Sequence, residues 1–458
     1  MALPRAGVRD TAAFMLDVFF PTAAKGATIR RPRIEALAER LGLDRRAVRR
    51  MQELDSRYPD GPLLLRLPLR KQAIVLRPGH LDAVLQQSPE PFSPASSEKR
   101  GALAHFEPRN VLVSTGPERS VRRALQEQAL DTSSPVHRFA DWFLPVIHEE
   151  AESMLRSAGA RGVLDWEVFN ESWQRTVRRV VFGDAAREDT ELTEQLARLR
   201  KDANWSGFKP RRKHTRAAFL RHVQDRIDAA EPGSLASVMR GRADEAAPAD
   251  QVPQWLFAFE PAGMAAFRAL ALLATHPGQA QLAREEMARD TSAGRQLPFL
   301  RATVLESLRL WPTTPMILRQ TTREVEWDAG TMPARCGVLI FTPYFHRDGR
   351  RLPDADRFEP ALWLTTDRQE AGPQVDGDHG DWGVVPFSAG PVRCPGRHLV
   401  LLLTSALLAN LLRDTDFTVH DGHRLDPRRP LPGTLDNFSL RFTAKPRTVP
   451  AGDVPPSS

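Results

Sequence analysis

The run of residues 252–274 constrains this chain more than any other segment. It is long, mostly apolar and helical in pattern, and it ends at the stop signal His276-Pro277-Gly278. A run of that length either crosses a bilayer or forms a core helix. Glu260, Pro261 and Arg268 fall inside it, so a core helix is expected and no membrane partner. Another apolar run, 11–24, contains Asp17 and Pro21 and is too short to span. The chain has 458 residues, 41% of them hydrophobic, which is enough for a large core and excludes a disordered or fibrous protein.

Further helices are predicted over 33–54 (Ile34, Leu37, Ala38, Leu41, Val48 and Met51 at helical spacing), 117–130, 136–181, 299–311 and 399–412. Residues 62–76 have β-like apolar runs broken by Pro68, which suits a small sheet with an edge. Short strands fit 316–320, 324–327 and 338–341. The expected fold class is mainly α with a minor β-sheet.

The formal charge is +7 and the pI about 9.9. With seven lysines against 57 arginines, the basicity is almost all guanidinium, whose fork suits carboxylates and phosphates. Spread over this length it describes a solvated surface rather than a nucleic-acid partner. Cys336 and Cys394 lie far apart, so they form neither a disulfide framework nor an all-Cys zinc site. That suits a reducing compartment, and with no signal-peptide pattern a cytoplasmic location is expected.

The chemistry gathers at Cys394. The chain reads Phe387-Ser-Ala-Gly390-Pro-Val-Arg393-Cys394-Pro-Gly396-Arg397 and passes directly into the apolar helix. Gly and Pro on both sides give a tight loop with exposed N–H groups. A cysteine just before a helix start is placed where the dipole and those donors favour a thiolate. Such a thiolate suits axial ligation of haem iron. An isolated cysteine is more often an inert buried residue, so the pattern around it has to decide.

Phe-x-x-Gly-x-x-x-Cys-x-Gly before a helix resembles the cysteine-ligand loop of the cytochrome P450 family. Glu306-Ser-Leu-Arg309 matches that family's Glu-x-x-Arg motif, and the i, i+3 spacing puts both charges on one helix face. Trp311-Pro312, His346-Arg347-Asp348 and Phe358-Glu-Pro360-Ala-Leu-Trp363 follow in the family's order. The resemblance implies one catalytic domain over 1–458. N-terminal helices would occupy 1–60, a small sheet 62–80, a helical region 110–275, and the K helix, cysteine loop and L helix 299–412. The implied shape is the family's triangular fold, with haem b (iron protoporphyrin IX) between the I and L helices.

Residue by residue, the resemblance makes Cys394 the iron ligand, with Phe387 packed near it. Gly390 and Gly396 allow the turn and close approach to the haem. Arg119, Arg123 and Arg319 match positions that hold haem propionates, and Arg393 belongs to the same cofactor-binding loop. Glu306 and Arg309 are the structural pair. The substrate pocket falls on Phe259, Gly263, Ala266, Thr314, Met316, Ile317 and Phe438.

Three positions depart from the family pattern. Val392 stands where an Arg usually precedes the cysteine by two. Leu362 stands where an Arg usually joins the Glu306–Arg309 pair. The I-helix acid and alcohol are both replaced, by Ala265 and Ala266. Pro261 has no N–H, so a kink is expected beside Glu260, the nearest acid and a candidate proton relay.

The resemblance implies a monooxygenase of specialised metabolism acting on a small or medium apolar molecule, as a monomer fed by a ferredoxin and its reductase. Loss of both relay groups also fits atypical chemistry at the same iron: peroxide use, dehydration, rearrangement or N–O cleavage. A different class of function is offered by residues 34–51, which resemble a helix-turn-helix with Arg45, Arg46, Arg49 and Arg50 towards phosphates. A basic amphipathic helix at the enzyme's edge is the preferred reading of that segment.

Overall fold

The computed structural model describes residues 3–68, 70–365, 374–375 and 383–447. The central apolar run is a helix from Pro248 to Thr275, and every residue from Ala262 to Leu273 is buried. By length and hydropathy it would suffice to cross a bilayer, but 78% of its most apolar window is packed inside the protein. A helix that is apolar on all sides needs neighbours on all sides. The helices Trp166–Phe182, Lys213–Asp228, Pro298–Leu310 and Arg397–Leu412 supply them.

The helix runs uninterrupted through Pro253 and Pro261, so the expected break at Pro261 is not an interruption. Proline leaves the Phe257 carbonyl without its intrahelical donor, and side chains from neighbouring helices brace this stretch. Trp173 donates its indole N–H to the Phe259 carbonyl at 2.7 Å. The Arg200 guanidinium lies 4.5 Å over the Phe257 ring.

The small sheet has the strand order Leu63–Leu64, Gln72–Ile74, Gly337–Phe341, Met316–Thr321, Phe92–Ser93. The pairing of Gln72–Ile74 with Gly337–Phe341 is parallel, and the others are antiparallel. Its residues from both faces, Ile74 and Phe341 on one and Val338 and Ile340 on the other, belong to a second core with Phe14 and Met51 of the N-terminal helices. A three-stranded sheet of Thr415–Val419, Arg441–Pro446 and Leu164–Asp165 was not expected from the sequence. Its two-residue strand Leu164–Asp165 is too short to carry a period.

The predicted helix over 33–54 is two helices, Pro32–Arg40 and Leu43–Arg57. They part at Gly42, whose φ of +60° favours glycine. This is the helix-turn-helix-like segment, and the fold occupies it internally. Arg46 and Arg50 pair with Asp17 at 2.8 and 2.9 Å. Arg45 donates to the Leu431 carbonyl, and Asp44 pairs with the buried Lys25. Three of the four arginines are thus engaged within the chain, which disfavours the nucleic-acid reading.

Candidate active site

The cysteine loop is set by its backbone. Cys394 donates its N–H to the Phe387 carbonyl at 2.9 Å, and Arg393 donates to the Gly390 carbonyl. Gly390 has φ +67°, and a Cβ there would lie 2.3 Å from the Leu85 carbonyl oxygen. Its positive φ suits the expected turn, and its smallness admits the end of the helix Pro78–Gln86. Gly396 caps the helix Arg397–Leu412, and a Cβ there would make only ordinary contact with Leu130. Phe387 is half-buried against the main core.

Cys394 is half-buried. Burial pushes its thiol up, against the lowering pull of the Gly396 N–H and of Arg123, Arg397 and Arg393. The loop's donors and arginines pull towards the thiolate, as expected from the sequence, and desolvation opposes them. A metal ion would displace that proton.

Arg123 anchors the loop. It donates to the Arg393 carbonyl at 3.0 Å and pairs with Glu127 at 2.6 Å. Its expected partner was a propionate, and Glu127 is the protein carboxylate beside it. Arg119 and Arg319 are different. Both are buried, and their hydrogen bonds go to neutral groups: the Val111 carbonyl for Arg119, and Ser88, Ser388 and the Leu318 carbonyl for Arg319. Lys99, which the sequence did not single out, joins them from the helix Ser97–Leu103 and donates to the Leu318 carbonyl.

No carboxylate pairs with these three among the described residues. Desolvation, followed by mutual repulsion, pushes Lys99 down to about 7 and both Arg119 and Arg319 to about 10. A buried cation group without an anion is costly. Two carboxylates would satisfy it by charge-assisted forks. The residues present therefore fit iron protoporphyrin, with Arg119, Arg319 and Lys99 towards the propionates and Cys394 towards the iron.

The Glu306–Arg309 pair is complete. Arg309 grips Glu306 through two bonds of 2.6 and 2.7 Å, and it also donates to the carbonyls of His346, Ala355 and Arg357. Glu306 takes two further donors, the Glu359 N–H at 2.8 Å and the Trp363 indole N–H at 2.9 Å. Trp363 thus takes the place of the Arg missing at Leu362, while Arg357 contributes only a carbonyl.

On the central helix Ala265 and Ala266 are buried, and the Ala265 carbonyl accepts from Ser307. Glu260 is half-buried and pairs with Arg200 at 2.5 Å. Arg200 also donates to the Thr28 carbonyl. Gly263 does not line an open pocket: a Cβ there would lie 2.5 Å from Trp173. Thr314 is exposed, Phe438 stacks edge-on against Trp166 at 5.4 Å, and Ile317 belongs to the sheet core with Met316 packed against it. Phe259 and Ala266 lie in the main core.

Residues 258–440 match the family model described as Cytochrome P450. The chain is 29% identical over 180 residues to "Probable cytochrome P450 4s3" of Drosophila melanogaster, covering 39% of this chain and 34% of that protein. It is 32% identical over 169 residues to "Beta-amyrin 24-hydroxylase" of Glycine max, covering 34% and 32%. The matched region thus spans about a third of the length of these relatives. The solved structure "Retinoic acid bound cyanobacterial CYP120A1" superposes with a TM-score of 0.68 at 18% identity, covering 86% of this chain and 94% of that one.

Proposed function

The chain belongs to the cytochrome P450 family, and on that premise we propose that it is a haem-thiolate oxidoreductase. It would act as a monooxygenase on a small or medium apolar molecule, in the cytoplasm, with electrons from a ferredoxin-type partner. The observation that carries this reading is the cluster of Lys99, Arg119 and Arg319, buried or half-buried and without a paired carboxylate among the described residues, in a chain whose cysteine loop opens a buried apolar helix.

When bound, the haem supplies iron chemistry towards dioxygen or peroxide. The chain's own residues set its conditions. Cys394 offers the sulfur, and Arg123 fixes the loop through the carbonyl of the preceding residue. Arg119, Arg319 and Lys99 draw in the carboxylates. Buried apolar side chains along the central helix exclude water. Ala265 and Ala266 carry no proton, and Glu260 moves one only by releasing Arg200. The test is the ferrous–CO difference spectrum: a red-shifted thiolate band is expected, and Cys394→Ser should abolish it. Thiolate spectra that persist in this variant overturn the reading.

The paired Glu260, beside two alanines, favours as second reading a reaction that needs no proton relay to dioxygen, either peroxide-driven or a rearrangement. Ala266→Thr separates the two. It raises the coupling of reductant to product if dioxygen cleavage limits turnover, and otherwise leaves turnover unchanged or lower.

A further inference from the structure

Residues 8–24 reverse the usual pattern of a surface helix, which turns its polar side chains to water. The helix Val8–Phe14 continues through the wide turn Met15–Phe19 into Phe20–Ala24. Phe14 and Val18 face the core, and the polar side chains face inward with them. Asp10, Thr11 and Thr22 are buried. Asp10 pairs with Arg57, Asp17 pairs with Arg46 and Arg50, and the Thr22 hydroxyl donates to the Val18 carbonyl. What remains for solvent is Val8, Arg9, Ala12, Leu16, Phe20 and Ala23. Val8, Leu16 and Phe20 are each more than half exposed. A four-residue step overshoots a full α-helical turn by about 40°. The wider turn at Met15–Phe19 falls short of one and winds that drift back, so the exposed apolar residues keep to one stripe.

The charges around this stripe have one sign. Among residues 3–24 the exposed charges are Arg5 and Arg9, with no exposed acid. Next to Leu16, Asp17 borders an open recess of about 580 Å³ that is also lined by Arg46, Arg49, Arg50 and Glu53. Arg50 holds Glu53 as well as Asp17. Arg46 keeps more than half of its side chain exposed. Arg5, Arg9 and Arg49 have no ion pair among the described residues.

A contiguous exposed apolar face marks a contact surface, and the charges select what it contacts. A second copy of the chain would set arginine against arginine. An anionic lipid surface matches both parts, since acyl chains receive the apolar stripe and phosphates receive the guanidinium forks. We propose that the helix of residues 8–24 docks the protein on an anionic bilayer. Too short to cross a membrane, the segment lies along its surface, with Leu16 and Phe20 in the acyl boundary and Arg5, Arg9, Arg46 and Arg49 among the headgroups.

The test is cosedimentation of the full haem-loaded protein with vesicles of phosphatidylglycerol and phosphatidylcholine in equal parts, compared with pure phosphatidylcholine. The wild type should bind the anionic vesicles about tenfold or more tightly, which corresponds to about 1.4 kcal/mol, and added salt should weaken that binding. Leu16→Ser with Phe20→Ser should lose about tenfold or more of it at an unchanged melting temperature, because both side chains face solvent. Arg9→Glu with Arg49→Glu keeps the apolar stripe and should erase the preference for anionic lipid. Leu282→Ser, which alters an exposed apolar residue on the helix Pro277–Arg289, should bind as the wild type does. No vesicle binding by the wild type, equal binding to both vesicles, or full binding by the serine variant overturns the proposal. So does a wild-type dimer that becomes a monomer in the serine variant, since a second copy then covers the stripe. A serine variant that fails to fold also overturns it, since the stripe is then part of the core.

Discussion

Two groups of buried cations in this molecule answer the same problem in opposite ways. Arg309 is wholly buried, and every contact it makes goes to an acceptor: two carboxylate oxygens and three carbonyls. Arg119 and Arg319 are nearly as buried, stand with Lys99, and have no paired carboxylate among the described residues. The first arrangement closes on itself and ties the helix Pro298–Leu310 to the segment 355–363. The second is complete only when an outside anion enters. Buried charge thus marks structure where its partners are present and a binding site where they are missing.

The largest expected effect breaks the closed group. Glu306→Ala leaves Arg309 buried with carbonyls but no carboxylate and strips the Trp363 and Glu359 N–H groups of their acceptor. It should cost about 3–5 kcal/mol, read by chemical denaturation or as loss of soluble protein. Near-native stability would show that the pair is dispensable. The same operation on the open group should have another sign. In the ligand-free chain, Arg119→Ala with Arg319→Ala should change stability by less than about 1 kcal/mol, because the lost hydrogen bonds are offset by relief of repulsion. Haem affinity should fall about tenfold or more, measured by hemin titration. Unchanged haem affinity would place the carboxylates elsewhere.

Lys99 sharpens the comparison through pH. Its folded value is lowered to about 7, below the ordinary lysine value. Between pH 7 and 10 the unfolded chain therefore binds more protons, and this residue's contribution to stability rises with pH. The ligand-free chain should gain melting temperature over that range relative to Lys99→Met. Bound carboxylates should flatten the difference. Parallel curves for the two proteins would remove Lys99 from the cluster. The smallest effect concerns Glu260. Glu260→Gln removes one ionic bond from Arg200, which keeps the Thr28 carbonyl and the Phe257 ring, so a loss of about 1–2 kcal/mol is expected in denaturation. Loss of all turnover with coupling otherwise intact would instead make Glu260 a relay.

Much of this site was legible because its signals are local. Glu306 and Arg309 face each other through helical spacing, and Cys394 is marked by the glycines and prolines around it. The contacts that were missed act over long separations. Trp363 reaches Glu306 across 57 positions, and Arg123 reaches the Arg393 carbonyl across 270. Lys99 had no local mark, since a lysine in a short polar helix ordinarily faces solvent. The packing of Trp173 on Gly263 was not legible, because the family pattern gives a position on the helix and not the neighbour pressed against it.

The sequence by itself determined the helical class, the central and cysteine-loop helices, the sulfur and the Glu306–Arg309 pair. Each follows from apolar periodicity or from the chemistry of a few adjacent residues. Only the tertiary structure decided which cations keep a partner, that Glu260 is held by Arg200, and that burial beside Asp250 raises the Glu107 carboxyl. Those outcomes depend on desolvation and on contacts between distant segments, and neither exists until the chain has folded.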